Sequence, residues 1–400
     1  MKHLYPILFI FSFLSAEIYD VSIPENDTAS YNYADFRMWV NDSTDTLRGI
    51  YWFMHPNNGD SRNIVTDSAY QALVSEQNFA LMGAHIFNMH MNTGIGDAVI
   101  AAMDSFAVLF RHDELEFVPF FVNGYSWGGQ FGYHFTKWIP ERVVGFITQK
   151  GGYHDTTDAG DAIEVPGLMF VGENDLPYRI ENLTGIFLEH RPLGAKWILA
   201  MEQGAGHTQV TDHSFLNSFF NTITNIRLSD SMDVFQPIQL NTLPDTLGWF
   251  GDQNSWIIGS FECYDGLIDS SSWFPSKNVG EGWQYFVSEG GVTDTSECDG
   301  SIGIDIRMPV PTDFILYHPY PNPFNPTTTL RFNIPSNTTK PVLINIYDIT
   351  GSVVETVINE KIEPGHHEIQ WNLTASSSGV YFVELRIGEK KLVQKLLFLK

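Results

Sequence analysis

Residues 117–138 read FVPFFVNGYSWGGQFGYHFTKW. Phe117–Asn123 is a short, nearly continuous apolar run, as a strand buried on both faces should be. Gly124-Tyr125-Ser126-Trp127-Gly128-Gly129 follows with the spacing G-x-S-x-G. Phe131, Phe135 and Trp138 then recur at i, i+4 and i+7, which predicts a helix. A serine between a strand and a helix, flanked by glycines, sits on a tight and strained bend. That bend lifts its hydroxyl above the C-terminal edge of a sheet. The bare pattern is weak evidence. The strand before it and the helix after it separate it from an ordinary glycine-rich turn.

Outward from this stretch, apolar runs alternate with helical patterns over residues 30–228. Expected strands are Leu47–Met54, Phe79–Ile86, Val143–Thr148, Gly167–Gly172 and Lys196–Met201. Expected helices are Asp67–Glu76, Asp97–Phe110 starting with a capping Asp97, and a last helix capped by Ser214. The alternation implies βαβ units and a mainly parallel sheet flanked by helices.

A serine hydroxyl is a poor nucleophile until a base takes its proton. Gly204-Ala205-Gly206-His207 follows the last expected strand, and its small residues let a loop carry an imidazole over the sheet. His207 is therefore the candidate base, with His213 the nearby rival. The group that orients the imidazole should follow the strand between serine and histidine. Gly172-Glu173-Asn174-Asp175 ends that strand; Asp175 is the candidate and Glu173 the next. Asp155, Asp158 and Asp161 fall earlier and read as solvated. Oxyanion donors are expected from the backbone N–H of Trp127, just after the serine, and from the loop His55-Pro56-Asn57-Asn58-Gly59-Asp60. Pro56 has no N–H, so Asn57 is the choice there. Trp127, Tyr125 and His55 are the expected substrate-binding side chains.

The order Ser126, Asp175, His207 is that of the α/β-hydrolases. Residues 47–228 resemble secreted serine esterases of that superfamily, especially the polyhydroxybutyrate depolymerase, acetylxylan esterase and feruloyl esterase-like group. The resemblance rests on the His-containing early loop, G-Y-S-x-G-G, G-x-x-D and G-x-G-H. The early loop departs from the usual His-Gly pair by carrying His55-Pro56, which leaves its oxyanion donor open. The resemblance implies attack by Ser126 on an ester carbonyl, an acyl-enzyme, and no cofactor. Acetyl or feruloyl esters of polysaccharides are the substrates it suggests. A peptidase of the same fold would share these motifs, and a non-catalytic surface-binding protein or adhesin is the reading from another class.

Residues 313–400 differ in kind. Short expected strands, Leu330–Ile334, Val342–Tyr347, Val353–Val357, Gly365–Trp371, Gly379–Arg386 and Lys391–Leu399, are punctuated by Gly and Pro, as in a small antiparallel sandwich. Tyr320-Pro321-Asn322-Pro323-Phe324-Asn325-Pro326-Thr327 opens the region. Ile346-Tyr347-Asp348-Ile349-Thr350-Gly351 and Ser378-Gly379-Val380-Tyr381-Phe382 follow, then a basic tail with Lys390, Lys391 and Lys395. This resembles the Ig-like C-terminal sorting domain of type IX secretion substrates. It implies the type IX secretion machinery as partner of residues 315–400, and delivery outside the cell or to its surface across an outer membrane.

Met1–Ala16, MKHLYPILFIFSFLSA, reads as a secretory signal peptide, being too short for a membrane span. The expected organisation is thus signal peptide 1–16, hydrolase domain 17–312 and sorting domain 313–400. Within 17–312, residues 229–312 form an extension rich in Trp and Gly without clear periodicity. Trp249, Trp256, Trp273 and Trp283 there read as core or as sugar-stacking rings.

The chain has 400 residues, of which 43% are hydrophobic, enough to exclude disorder. Its 47 Asp and Glu against 22 Lys and Arg give a net charge of −25. Residues 315–400 hold eight basic and seven acidic residues, so the acidity lies before them. Nucleic acid and anionic membrane surfaces need basic patches, so neither is an expected partner. Two cysteines, Cys263 and Cys298, exclude a multi-cysteine metal site, and their pairing is open. His85 and His90 follow a strand without an acidic residue at ligand spacing, so they read as structural or pocket-lining rather than metal-binding.

Overall fold

A computed structural model of the chain describes residues 17–400 apart from 28, 230–232, 291–294, 297–313, 317, 318, 320–323, 336, 337, 339, 363, 364, 374–376 and 389. The expected signal peptide and Cys298 lie outside the described residues. The chain divides into two compact units, Met1–Asp299 and Gly300–Lys400. The sequence puts its boundary slightly later, at the proline-rich stretch.

The first unit is built on β1 (Glu17–Ile23), β2 (Ala34–Val40), β3 (Gly49–Met54), α1 (Ser68–Ser75), β4 (Phe79–Ile86), α2 (Ile95–Phe110), β5 (Phe120–Tyr125), α3 (Trp127–Trp138), β6 (Val143–Gln149), β7 (Gly167–Gly172), α4 (Pro177–His190), β8 (Trp197–Glu202) and α5 (Ser214–Arg227). The eight strands form one sheet in the order β1-β2-β4-β3-β5-β6-β7-β8. From β4 to β8 all neighbours are parallel; β2 runs antiparallel to β1 and β4.

Both faces of the sheet are covered. Along β3, Ile50, Trp52 and Met54 enter the core with α2, α3 and α4. Tyr51 and Phe53 enter the opposite core with α1 and α5. A strand apolar on both faces has no polar stripe, which explains the continuous apolar runs. Asp67 caps α1, accepting from the Ala69 and Tyr70 amides at 2.8 and 3.2 Å. At α2 the expected cap moves: Gly94, with φ of 81°, precedes the helix and Asp97 lies in its first turn. At α5, Asp212 rather than Ser214 supplies the accepting oxygen, taking the Ser214 amide at 3.0 Å.

The extension carries β9 (Trp249–Gly251), β10 (Ile258–Ser260), β11 (Ser272–Phe274), α6 (Lys277–Val287) and β12 (Thr295–Ser296). Its strands form a small sheet, β11-β9-β10-β12. It closes the end of the main sheet: Ser272 Oγ accepts the Leu199 amide at 2.9 Å, and the Trp283 indole donates to the Leu199 carbonyl at 2.8 Å. Trp273 and Trp283 are buried, and Trp249 and Trp256 pack half-buried on the same core. Trp273 and Trp283 are therefore core residues. The Cys263 sulfur is in a disulfide bond.

The second unit contains β13 (Ile315–Leu316), β14 (Thr327–Ile334), β15 (Val342–Asp348), β16 (Val353–Glu360), β17 (Gly365–Asn372), β18 (Gly379–Ile387) and β19 (Lys390–Phe398). They make two antiparallel sheets, β13-β14-β17 and β16-β15-β18-β19. Leu330, Phe332, Ile344, Ile346, Val383 and Leu385 fill the core of this sandwich. Among the described residues, no helix is long and apolar enough to cross a membrane.

Candidate active site

Three loops converge at the C-terminal edge of the parallel strands. Ser126 occupies the bend between β5 and α3 with φ of 55° and ψ of −121°, a strained conformation for a residue with a side chain. Two close approaches force glycine beside it. A Cβ on Gly124 would lie 2.3 Å from the carbonyl of Gly128. A Cβ on Gly128 would lie 2.5 Å from the His55 carbonyl oxygen. The start of α3 is therefore wedged against the ends of β5 and β3.

The geometry brings Ser126, His207 and Asp175 together. His207 Nε2 lies 2.8 Å from Ser126 Oγ, and His207 Nδ1 lies 2.7 Å from Asp175 Oδ2. Asp175 Oδ1 accepts the Leu176 amide at 2.7 Å and Arg179 Nη1 at 3.0 Å. Burial opposes ionisation of Asp175. The hydrogen bonds from His207, the Leu176 amide and Arg179 outweigh it and hold the carboxyl below its usual range. The other candidates lie apart from this chain of bonds. Glu173 accepts the Gly204 amide at 2.7 Å, and His213 Nε2 faces the Val210 carbonyl at 3.1 Å. Asp155 is bound by Lys137 and Thr157, which keep its carboxyl well below the usual range.

Trp127 is the first residue of α3, so its N–H has no partner within the helix. It lies at the positive end of the helix dipole, where developing negative charge is favoured. Its ring meets His90 edge to face at 5.3 Å between centroids. His55 is half-buried, and burial lowers its basicity. Asn57 is exposed on the turn that the Gly59 amide closes onto the Pro56 carbonyl at 2.7 Å. Tyr125, one of the expected substrate-binding side chains, donates its hydroxyl to the His207 carbonyl at 2.7 Å. His85 lies against Tyr33, its ring centroid 4.8 Å away. Among the described residues, no three His, Cys, Asp or Glu side chains group as metal ligands would.

Two supports of the histidine loop escaped the sequence reading. Lys150 directly follows β6 in a left-handed conformation, φ 46°, with its side chain fully buried. Its amine binds the Glu202 carboxylate and the Thr208 carbonyl, the latter at 2.7 Å. Beneath it runs a buried polar chain. Gln149 accepts the Val210 amide at 3.1 Å and donates to Asn123 at 2.8 Å, and Asn123 donates to Tyr51 at 2.8 Å. Polar residues inside apolar strands are the visible signal, since a buried amide or amine needs a partner. Nearby His134 accepts the Asp155 amide at 3.0 Å, and burial lowers its pKa to about 4. It is therefore held neutral.

Lys150→Met is expected to leave the Glu202 carboxylate and the Thr208 carbonyl without their cation. The histidine loop then loses its anchor next to His207. Turnover should fall about tenfold to a hundredfold, and stability by about 2–4 kcal/mol. Steady-state kinetics and thermal unfolding check both numbers.

Residues 318–399 match the family described as "Secretion system C-terminal sorting domain". No curated protein matches the chain. Among solved structures, the chain is similar to the fluorophosphonate-binding serine hydrolase F of Staphylococcus aureus, at 10% identity over 52% of this chain and 99% of that one, with a TM-score of 0.40. It is similar to an S-formylglutathione hydrolase from Agrobacterium tumefaciens, at 13% identity over 53% and 98%, TM-score 0.40. It is also similar to a poly(3-hydroxybutyrate) depolymerase from Bordetella parapertussis, at 11% identity over 55% and 93%, TM-score 0.40.

Proposed function

We propose that the chain is an exported serine carboxylic-ester hydrolase whose acyl-enzyme forms on Ser126. The observation that carries this reading is the imidazole of His207, which bridges Ser126 Oγ and Asp175 Oδ2 at 2.8 and 2.7 Å. Ser126 Oγ attacks the ester carbonyl while His207 Nε2 takes its proton. Asp175 fixes the imidazole tautomer and stabilises the imidazolium. The Trp127 N–H faces the developing oxyanion, with a second donor from the loop after β3. Collapse breaks the acyl–oxygen bond, and His207 returns the proton to the leaving alcohol. A water molecule, deprotonated by the same imidazole, then attacks the acyl carbon. Its proton returns to Ser126 through His207, releasing the acid.

Ester-linked decorations of polysaccharides are the substrate class within this proposal. Tyr153 is exposed on the loop after β6, beside Gly152, and Tyr178 is exposed in the first turn of α4, three residues after Asp175; both offer flat apolar faces to a ring. The Gly152 amide bonds the Ser126 carbonyl at 3.3 Å, which places Tyr153 next to the bend. Export is assigned to the type IX machinery acting on residues 315–400. Removing them is expected to stop delivery outside the cell, read by fractionation.

A fluorophosphonate probe with the purified protein tests the enzyme reading. One equivalent bound at Ser126 at neutral pH is expected. No labelling would overturn it. Among p-nitrophenyl acetate, methyl ferulate and short peptide amides, the esters are expected to turn over.

A further inference from the structure

The orienting carboxylate is shared between His207 and Arg179. Asp175 Oδ2 faces His207 Nδ1, and its Oδ1 accepts from the Leu176 amide and from Arg179 Nη1, the latter at 3.0 Å. Arg179 lies one helical turn after Asp175, near the N-terminus of α4. Its side chain is 20% exposed and that of Asp175 only 2%. Its Nε is buried without a hydrogen-bond partner, and its guanidinium lies 5.4 Å from the Tyr178 ring centroid. The reaction as derived makes no use of it.

A bare carboxylate would suffice to orient the imidazole, and it would stabilise the imidazolium most strongly. A guanidinium on the other oxygen draws on the same negative charge. It also repels the proton that His207 would gain. Both effects favour the neutral imidazole. We propose that Arg179 is a positioning residue that, through Asp175, weakens the basicity of His207 and keeps the base free at lower pH. The proposal rests on reading Ser126, His207 and Asp175 as one catalytic unit.

The surrounding charged and titratable groups are otherwise engaged. From the β7 end, Glu173 binds the Gly204 amide. Glu202, at the end of β8, and Lys150, just after β6, bind each other. From β5, the Tyr125 hydroxyl binds the His207 carbonyl, and burial, then Asp175, push its pKa up. Beyond the loop, Asp212 binds Ser214 and His213 faces the Val210 carbonyl. On α4 itself, Glu181 lies two residues beyond Arg179, and burial raises its pKa. Arg179 is thus the charge bonded directly to the orienting carboxylate.

The test compares the full chain with Arg179→Gln and Arg179→Lys. Histidine labelled with carbon-13 reports the His207 titration by NMR, assigned with His207→Gln. In Arg179→Gln the His207 midpoint is expected to rise by about 0.5–1 pH unit, an interaction at several ångströms in a partly wet site. Arg179→Lys should restore part of the difference. The rate of Ser126 labelling by the fluorophosphonate should shift its acid limb by the same amount, so the variant loses rate near pH 6 and keeps it near pH 8. An unmoved His207 midpoint overturns the proposal. So does a labelling rate lowered equally at every pH, which is what mere loosening of α4 would produce. A wild-type Ser126 that resists the probe while the midpoint still moves overturns the esterase reading and supports the Arg179 coupling.

Discussion

Ser126→Ala is expected to lower kcat/KM on a p-nitrophenyl ester by about 10⁴- to 10⁶-fold and to abolish fluorophosphonate labelling. The loss is large because the hydroxyl cannot be replaced by any neighbour. Tyr125 spends its hydroxyl on the His207 carbonyl, and Thr148 faces His154 at 3.1 Å on the inner side of the bend. What survives is the rate that oxyanion donors and binding confer on water attack, about 10³- to 10⁴-fold over solution. Stability should hardly change. The strain lies in the backbone, φ 55°, and alanine bears it as serine does. A melting temperature within about 1 °C of wild type, with turnover gone, separates chemistry from folding. Retained turnover would remove Ser126 from the mechanism.

The candidate site can be picked out because Ser126, Asp175 and His207 follow one chain order. A strand, a glycine-flanked serine, an acid after a later strand and a histidine after the last strand appear in sequence. The parallel sheet brings all three to one edge. Less legible were the elements whose burial is one-sided or whose polar residues face inward. Tyr19, Val21 and Ile23 alternate with exposed residues along β1, as Phe36 and Met38 do with half-buried Asp35 and Arg37 along β2. This period of two marks the antiparallel strands at one end of the sheet, unlike the apolar runs of the parallel strands. Helix α4 escaped because Asn182 interrupts its apolar face. Asn182 is buried and bonds both the amide and the carbonyl of His154, at 2.7 and 3.0 Å. Arg179 escaped for a different reason: its role depends on which oxygen of Asp175 it reaches, and spacing alone does not determine that. The extension defeated periodicity because its strands are only two or three residues long and its order comes from Trp273 and Trp283 packing on the main core.

Gly124→Ala is expected to destabilise the first unit by about 3 kcal/mol or more and to remove labelling of Ser126. The added methyl would stand 2.3 Å from the Gly128 carbonyl carbon and oxygen and 2.5 Å from the Gly129 nitrogen. These are backbone atoms, so no rotamer change relieves the clash. The start of α3 cannot retreat either. Gly128 already touches the Met54 and His55 carbonyls, and Gly129 faces Thr148, where a methyl would meet Oγ1 at 2.5 Å. Any relief therefore moves Ser126 away from His207, and a shift of about 1 Å is enough to cost about a hundredfold in rate. Gly160→Ala gives the contrast. Its φ is 55° and nothing lies within 4 Å of the added carbon, so only backbone strain of about 1 kcal/mol is expected. Thermal unfolding should place Gly124→Ala about 6 °C or more below wild type and Gly160→Ala within a few degrees. Equal melting temperatures for the two variants would mean that the bend is looser than three backbone contacts allow. The strained conformation of Ser126 would then need another cause.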